Sequence, residues 1–87
     1  MKLDILKLFK ERQVIVNTFI DDELRNKDGF MFDHIEILDR SVNFVKDEQT
    51  VHSISLEIYP TFQALDDFKN YFSFSNDNND KIEIYFP

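Results

Sequence analysis

Apolar residues recur along this chain at two spacings, and the change from one to the other marks out its elements. Leu3, Leu6 and Phe9 recur every three residues, with Ile5 and Leu8 widening the stripe, so Leu3 to Arg12 predicts a short amphipathic helix. Asp4 near its start and Lys10 and Arg12 near its end suit the helix dipole. Gln13 to Ile20 is dense in β-branched residues and predicts a strand, apolar at both parities in its first half and therefore covered on both faces. Asp21-Asp22-Glu23 ends that run. Asn26-Lys27-Asp28-Gly29 holds the only glycine, and its Asp-Gly pair predicts a turn.

A second strand is expected from Phe30 to Leu38, then a turn or bulge at Asp39-Arg40-Ser41 and more strand at Val42 to Val45. Asp47-Glu48-Gln49-Thr50 reads as a polar hairpin turn without glycine. Val51 to Tyr59 carries the cleanest alternation: Ile54, Leu56 and Ile58 face one way, and Ser53, Ser55, Glu57 and Tyr59 the other. Pro60 stops it. Thr61 as cap, Asp66 and Asp67 early, and Phe62, Leu65, Phe68 and Phe72 on one side predict a helix ending near Ser73, with its aromatic stripe in the core. Ser75 to Asp80 is a polar loop. Lys81 to Phe86 closes the chain as a strand with Ile82, Ile84 and Phe86 on one face. The order of elements predicts a single α+β domain over residues 1–87: a small two-layer fold, its mostly antiparallel sheet of four or five strands packed by one or two helices.

Composition narrows the function. Seventeen Asp and Glu stand against ten Lys and Arg, a formal net charge of -7, while ten Phe and three Tyr supply the aromatic content. Such a surface repels nucleic-acid phosphates and anionic lipid, so neither direct nucleic-acid binding nor membrane binding is expected. The absence of Cys excludes disulfides and thiolate metal sites, and favours a cytoplasmic home over a secreted one. No apolar run approaches the ~18 residues of a membrane span. Met1 to Ile5 carries a carboxylate inside its apolar stretch, unlike a secretory leader.

Candidate chemistry is sparse. Asp21-Asp22-Glu23 and Asp66-Asp67 are adjacent carboxylates, whose side chains diverge rather than converge on an ion. From Asp77 the sixth position is Ile82, not the glycine a calcium loop requires. His34 and His52 would make an acid–base pair only if they met across the sheet, and the chain lacks the clustered cations that would hold phosphate beside them. One glycine leaves no phosphate cradle. No catalytic residue, metal ligand or cofactor is assigned, and an enzyme is not expected.

The expected function is therefore a non-catalytic, acidic protein-binding module. Its partner would be a basic protein, such as a nuclease or another nucleic-acid-binding protein, whose Arg and Lys would meet Asp21, Asp22, Glu23, Asp66, Asp67, Asp77 and Asp80. Tyr59 with Glu57, and Tyr85 with Glu83, would place aromatic anchors beside carboxylates on exposed strand faces. In size, acidity and lack of catalytic motifs the chain resembles, by role rather than by any shared motif, the immunity proteins and antitoxins that block nuclease toxins and the phage inhibitors of bacterial defence, anti-CRISPR proteins among them. That resemblance implies an inhibitor. The alternative is a structural or regulatory homo-oligomer, a homodimer built by edge-to-edge pairing of Lys81 to Phe86.

Overall fold

The computed structural model describes residues 2–87; Met1, the first residue of the segment weighed against a secretory leader, lies outside the described residues. The chain opens with a 3-10 helix, Lys2–Leu8. At three residues per turn, side chains at i and i+3 eclipse one another. Leu3 and Leu6 accordingly line up with Phe9 and all three are buried, whereas Ile5 and Leu8 are 44% and 78% exposed. The amphipathic segment is real, but its winding is tighter than the α-helix expected, and Ile5 and Leu8 drop out of the buried stripe.

Eight strands follow: β1 (Arg12–Ile20), β2 (Glu23–Phe32), β3 (His34–Ile37), β4 (Ser41–Lys46), β5 (Gln49–Ser55), β6 (Thr61–Ala64), β7 (Tyr71–Ser75) and β8 (Lys81–Tyr85). They form a five-stranded sheet in the order β2-β1-β8-β7-β6 and a three-stranded sheet, β3-β4-β5. Every pairing is antiparallel. The chain changes sheet at a one-residue corner, Asp33. There the Asp33 amide donates to Val45 O and Asp33 O accepts the Glu11 amide, both at 2.8 Å. Its carboxylate Oδ2 accepts the Asp47 amide at 2.9 Å, which ties the corner to the β4–β5 turn.

The α+β expectation is thus overturned: the fold is nearly all β, with two antiparallel sheets and no α-helix among the described residues. The helix expected over Thr61 to Ser73 is a hairpin, β6–β7, in which Phe62 pairs with Phe74 and Ala64 with Phe72. Spacings that would align on one helical face also arise when two strands face each other across a turn. The deciding signal is the strict alternation Tyr71-Phe72-Ser73-Phe74-Ser75, which puts Phe72 and Phe74 in the core. Strand β5 stops at Ser55, so Leu56 to Ile58 form a turn, and Ile58 is 57% exposed.

The turns also move. Strands β1 and β2 are joined at Asp21-Asp22, with φ of 53° and 64°, and β4 and β5 at Asp47-Glu48, with φ of 52° and 65°. Two consecutive left-handed residues make the mirror-image turn whose twist suits a two-residue hairpin. Asp tolerates that region better than most residues, because its short side chain bonds locally. Gly29, expected in a turn, sits inside β2 opposite Ile15, and no glycine has a positive φ. The terminal strand is not an edge: β8 lies between β1 and β7, so the homodimer expected from pairing of Lys81 to Phe86 has no free edge there. One free edge of the five-stranded sheet is β2, which carries Arg25, Lys27 and Asp28, the kind of charge that discourages strand addition.

The two sheets share one core, and its rings meet at Phe86. Phe86 stacks on Phe9 with centroids 4.0 Å apart and planes 5° apart. Its ring also lies 5.8 Å from Phe32 on β2, 6.5 Å from Phe44 on β4 and 6.2 Å from Phe72 on β7. Phe32 and Phe44 close the gap between sheets edge-to-face at 5.3 Å.

Truncation of Phe86 removes the ring on which both sheets and the N-terminal segment converge. Phe86→Ala is expected to cost about 3–5 kcal/mol, comparable with the ~5 kcal/mol total of a small domain. Circular dichroism melts should show a largely unfolded variant; stability within about 1 kcal/mol of the parent would deny Phe86 that role. Gly29→Ala makes the opposite case. A Cβ there would meet its nearest neighbours at 3.6–4.0 Å, ordinary contact distances. Urea denaturation should show stability unchanged or raised by about 0.5 kcal/mol, whereas a clear loss would place Gly29 in a strained turn after all.

Candidate functional site: the outer face of the five-stranded sheet

Alternation in β1, β7 and β8 sends Val14, Val16, Phe72, Phe74, Ile82 and Ile84 inward. The register then sets their neighbours in rows across the outer face. One row runs Gly29, Ile15, Tyr85, Tyr71 from β2 to β7. The next runs Lys27, Asn17, Glu83, Ser73, Gln63. A third holds Phe19, Lys81, Ser75 and Thr61.

The first row ends in an aromatic cluster. Phe68, from the β6–β7 loop, lies 5.4 Å from Tyr71 and 5.9 Å from Tyr85. The two tyrosines are 6.3 Å apart with planes at 89°. Phe68 remains 63% exposed, an unusual state for a phenylalanine with so large a core available. Together with Ile15, Asn17 and Lys27 these rings line an open recess of about 240 Å³.

The second row carries a clamp. Glu83 is only 12% exposed at its side chain, and its Oε2 lies 3.2 Å from Lys81 Nζ. Its Oε1 accepts a hydrogen bond from the Tyr71 hydroxyl. Lys81 is itself held 4.9 Å over the Phe19 ring. The Tyr71 phenol is pushed up to about 12, chiefly by burial, then by the Glu83 bond and charge and by Asp67. Across the strand from Glu83, Asn17 Oδ1 is buried with no donor. A buried acceptor without a partner is costly.

The carboxylates singled out in the sequence fall into separate groups. The Asp21 amide donates to Asp80 Oδ1 at 3.1 Å and the Asp22 amide to Asn79 O at 3.2 Å. These bonds bring the turn at Asp21, Asp22 and Glu23 beside the loop bearing Asp77 and Asp80, at one end of the sheet. Asn76 Oδ1 shapes that loop by accepting the Asn78 and Asp80 amides at 2.9 and 3.1 Å. Glu23 is paired with Arg25 at 3.1 Å. Asp66 and Asp67 belong to the opposite end, in the loop that carries Phe68. Glu57 stands apart, 4.0 Å from Arg40. Tyr59 packs against the core, while Tyr85 lies on the outer face beside the recess.

Among the described residues no group of three or more His, Asp or Glu is placed to hold a metal ion. His34 and His52 do not meet. His52 pairs with Phe44 on the core side of its sheet, and His34, opposite Val45, has the other parity and is exposed. Burial lowers the His52 pKa, against a smaller opposing pull from Asp28, and its Nε2 has no partner. Among the described residues no helix is long and apolar enough to cross a membrane.

Asn17 and Phe68 were not anticipated as surface residues. Asn17 breaks an otherwise apolar run, Val14-Ile15-Val16, and that interruption was the available signal. Phe68 was hidden by the helical reading of its segment. Comparison with protein-family models, with curated proteins and with solved structures finds no match for this chain. The role-based resemblance to immunity proteins, antitoxins and anti-CRISPR inhibitors gains no support from them.

Tyr71 holds its proton more tightly in the folded chain than at the ordinary phenol value of 10.0. Between that value and about 12 the unfolded chain loses the proton first. The stability this group contributes is therefore whole below pH 10.0 and is lost as pH rises through that window. Urea titrations at alkaline pH should show a steeper fall for the parent than for Tyr71→Phe. Parallel slopes would separate Tyr71 from the clamp.

Proposed function

We propose that this protein is a non-catalytic binding module that takes a basic partner protein on the five-stranded sheet and its acidic end. The observation that carries the reading is the convergence of Asp21, Asp22, Asp77 and Asp80 from two connections far apart in sequence, joined by the Asp21–Asp80 bond at 3.1 Å. On a chain of net charge -7 that end concentrates negative potential. Such potentials steer oppositely charged partners, with on-rates raised by roughly 10–10³ and a steep dependence on salt. Long-range attraction brings a basic surface in, and exposed aromatic side chains supply the short-range contacts that slow its departure. The same charge disfavours nucleic acid as a direct ligand.

Isosteric neutralisation tests the reading without disturbing the turns. Asn favours the left-handed conformation as Asp does, and its Oδ1 still accepts a backbone amide. Asp21→Asn, Asp22→Asn, Asp77→Asn and Asp80→Asn combined should leave the melting profile close to the parent's. Fluorescence anisotropy with a labelled octa-lysine peptide should show affinity lowered by about tenfold at low salt, with a shallower salt dependence. Equal affinities for the two proteins would remove the acidic end as the contact.

A further inference from the structure

We propose that the recess beside Tyr85 is a receptor for the guanidinium group of an arginine side chain. The inference rests on the binding-module reading above and names the chemistry that one part of the face selects.

The walls fit a planar cation. Phe68, Tyr71 and Tyr85 stand at 47°, 57° and 89° to one another, so they form a three-sided box rather than a flat stack. Ring faces and edges differ in charge, and a cation is drawn to the faces. Guanidinium is flat, weakly hydrated and able to lie along a ring, whereas ammonium is a compact point charge that gives up water reluctantly. The chain already uses this attraction: Arg12 lies 5.4 Å over Phe9, and Lys81 4.9 Å over Phe19.

The polar groups fit as well. Asn17 lines the recess, and a turn of its side chain would bring its unpaired, covered Oδ1 to a guanidinium N–H. Neighbouring charge from Glu83 and Asp67 is negative and already acts on Tyr71. At about 240 Å³ the recess is smaller than the ~300–1,000 Å³ of sites for drug-sized ligands and suits one side chain.

Lys27 provides the internal control. It lines the same recess, and its ammonium opposes a cationic guest while it would assist an anionic one. A stacked nucleotide, the rival guest for an aromatic box, would use Lys27 to hold phosphate. The two guests therefore predict opposite signs for Lys27→Ala.

The experiment titrates the full chain with labelled octa-arginine, octa-lysine and oligothymidylate at physiological salt. Octa-arginine should bind several-fold more tightly than octa-lysine of equal charge. Tyr85→Leu and Phe68→Ala should each lower octa-arginine affinity by about tenfold, and Lys27→Ala should raise it by roughly two- to fivefold. Phe68 is exposed, so its variant reports even where Tyr85→Leu does not fold. Equal binding of both peptides, untouched by Phe68→Ala, overturns the receptor and leaves the acidic-module reading standing. Binding of neither peptide overturns both. Oligothymidylate binding that weakens in Lys27→Ala overturns the arginine guest in favour of nucleic acid.

Discussion

Phe86, one residue from the end of the chain, has to lie flat against Phe9, 4.0 Å away, before either sheet has a complete interior. Its amide donates to Asn70 O at 3.0 Å, and the Arg12 side chain donates from Nη2 to Pro87 O at 2.8 Å, so one backbone bond and one side-chain bond hold the segment bearing the ring. Around it Phe32, Phe44 and Phe72 come from three strands and both sheets. A chain of this size has little core to spare. Concentrating burial in large rings lets few positions do much of the work, because each ring removes far more apolar surface from water than an aliphatic side chain.

That interior determines the character of the exterior. Once Val14, Val16, Phe72, Phe74, Ile82 and Ile84 point inward, strand geometry leaves Ile15, Asn17, Tyr71, Glu83 and Tyr85 on the other side. The outer face is therefore graded. Aromatic rings and a recess lie toward the loop with Asp66 and Asp67, a hydrogen-bonded carboxylate occupies the middle, and carboxylate-bearing turns lie beyond Lys81 and Phe19. Glu83 is the hinge of that gradation: by engaging both Tyr71 and Lys81 it fixes one wall of the recess and positions the cation beside Phe19.

Some of this could be read directly from residue order. Ile82, Ile84 and Phe86 were expected on one face and are buried together, whereas the equally regular alternation of Ile54, Leu56 and Ile58 breaks off at Ser55, where the chain turns and leaves Ile58 exposed. The turn at Asp47-Glu48 was likewise readable from a polar interruption between apolar runs. Elsewhere local signals competed. Asp28-Gly29 is a strong turn pair, yet the hairpin closes at Asp21-Asp22, since the pairing of Val14 with Phe30 and Ile15 with Gly29 demands a long β2. Phe62, Leu65, Phe68 and Phe72 satisfied a helical spacing that two antiparallel strands satisfy equally, and propensity could not separate them.

Taken alone, the order of residues determined the quantities that need no partner: the charge, the supply of rings, the absence of thiols, and the face shared by Ile82, Ile84 and Phe86. Packing decided the rest. Whether the segment bearing Leu3 and Leu6 wound as α or 3-10, whether the segment after Pro60 became helix or hairpin, and which carboxylates came to share an end all depend on contacts between residues distant in the chain. The reason is that a β-sheet stores its decisive information in cross-strand pairs, and the pairing of Tyr71 with Tyr85, or the bond from Asp21 to Asp80, exists only once the strands between them have found their places.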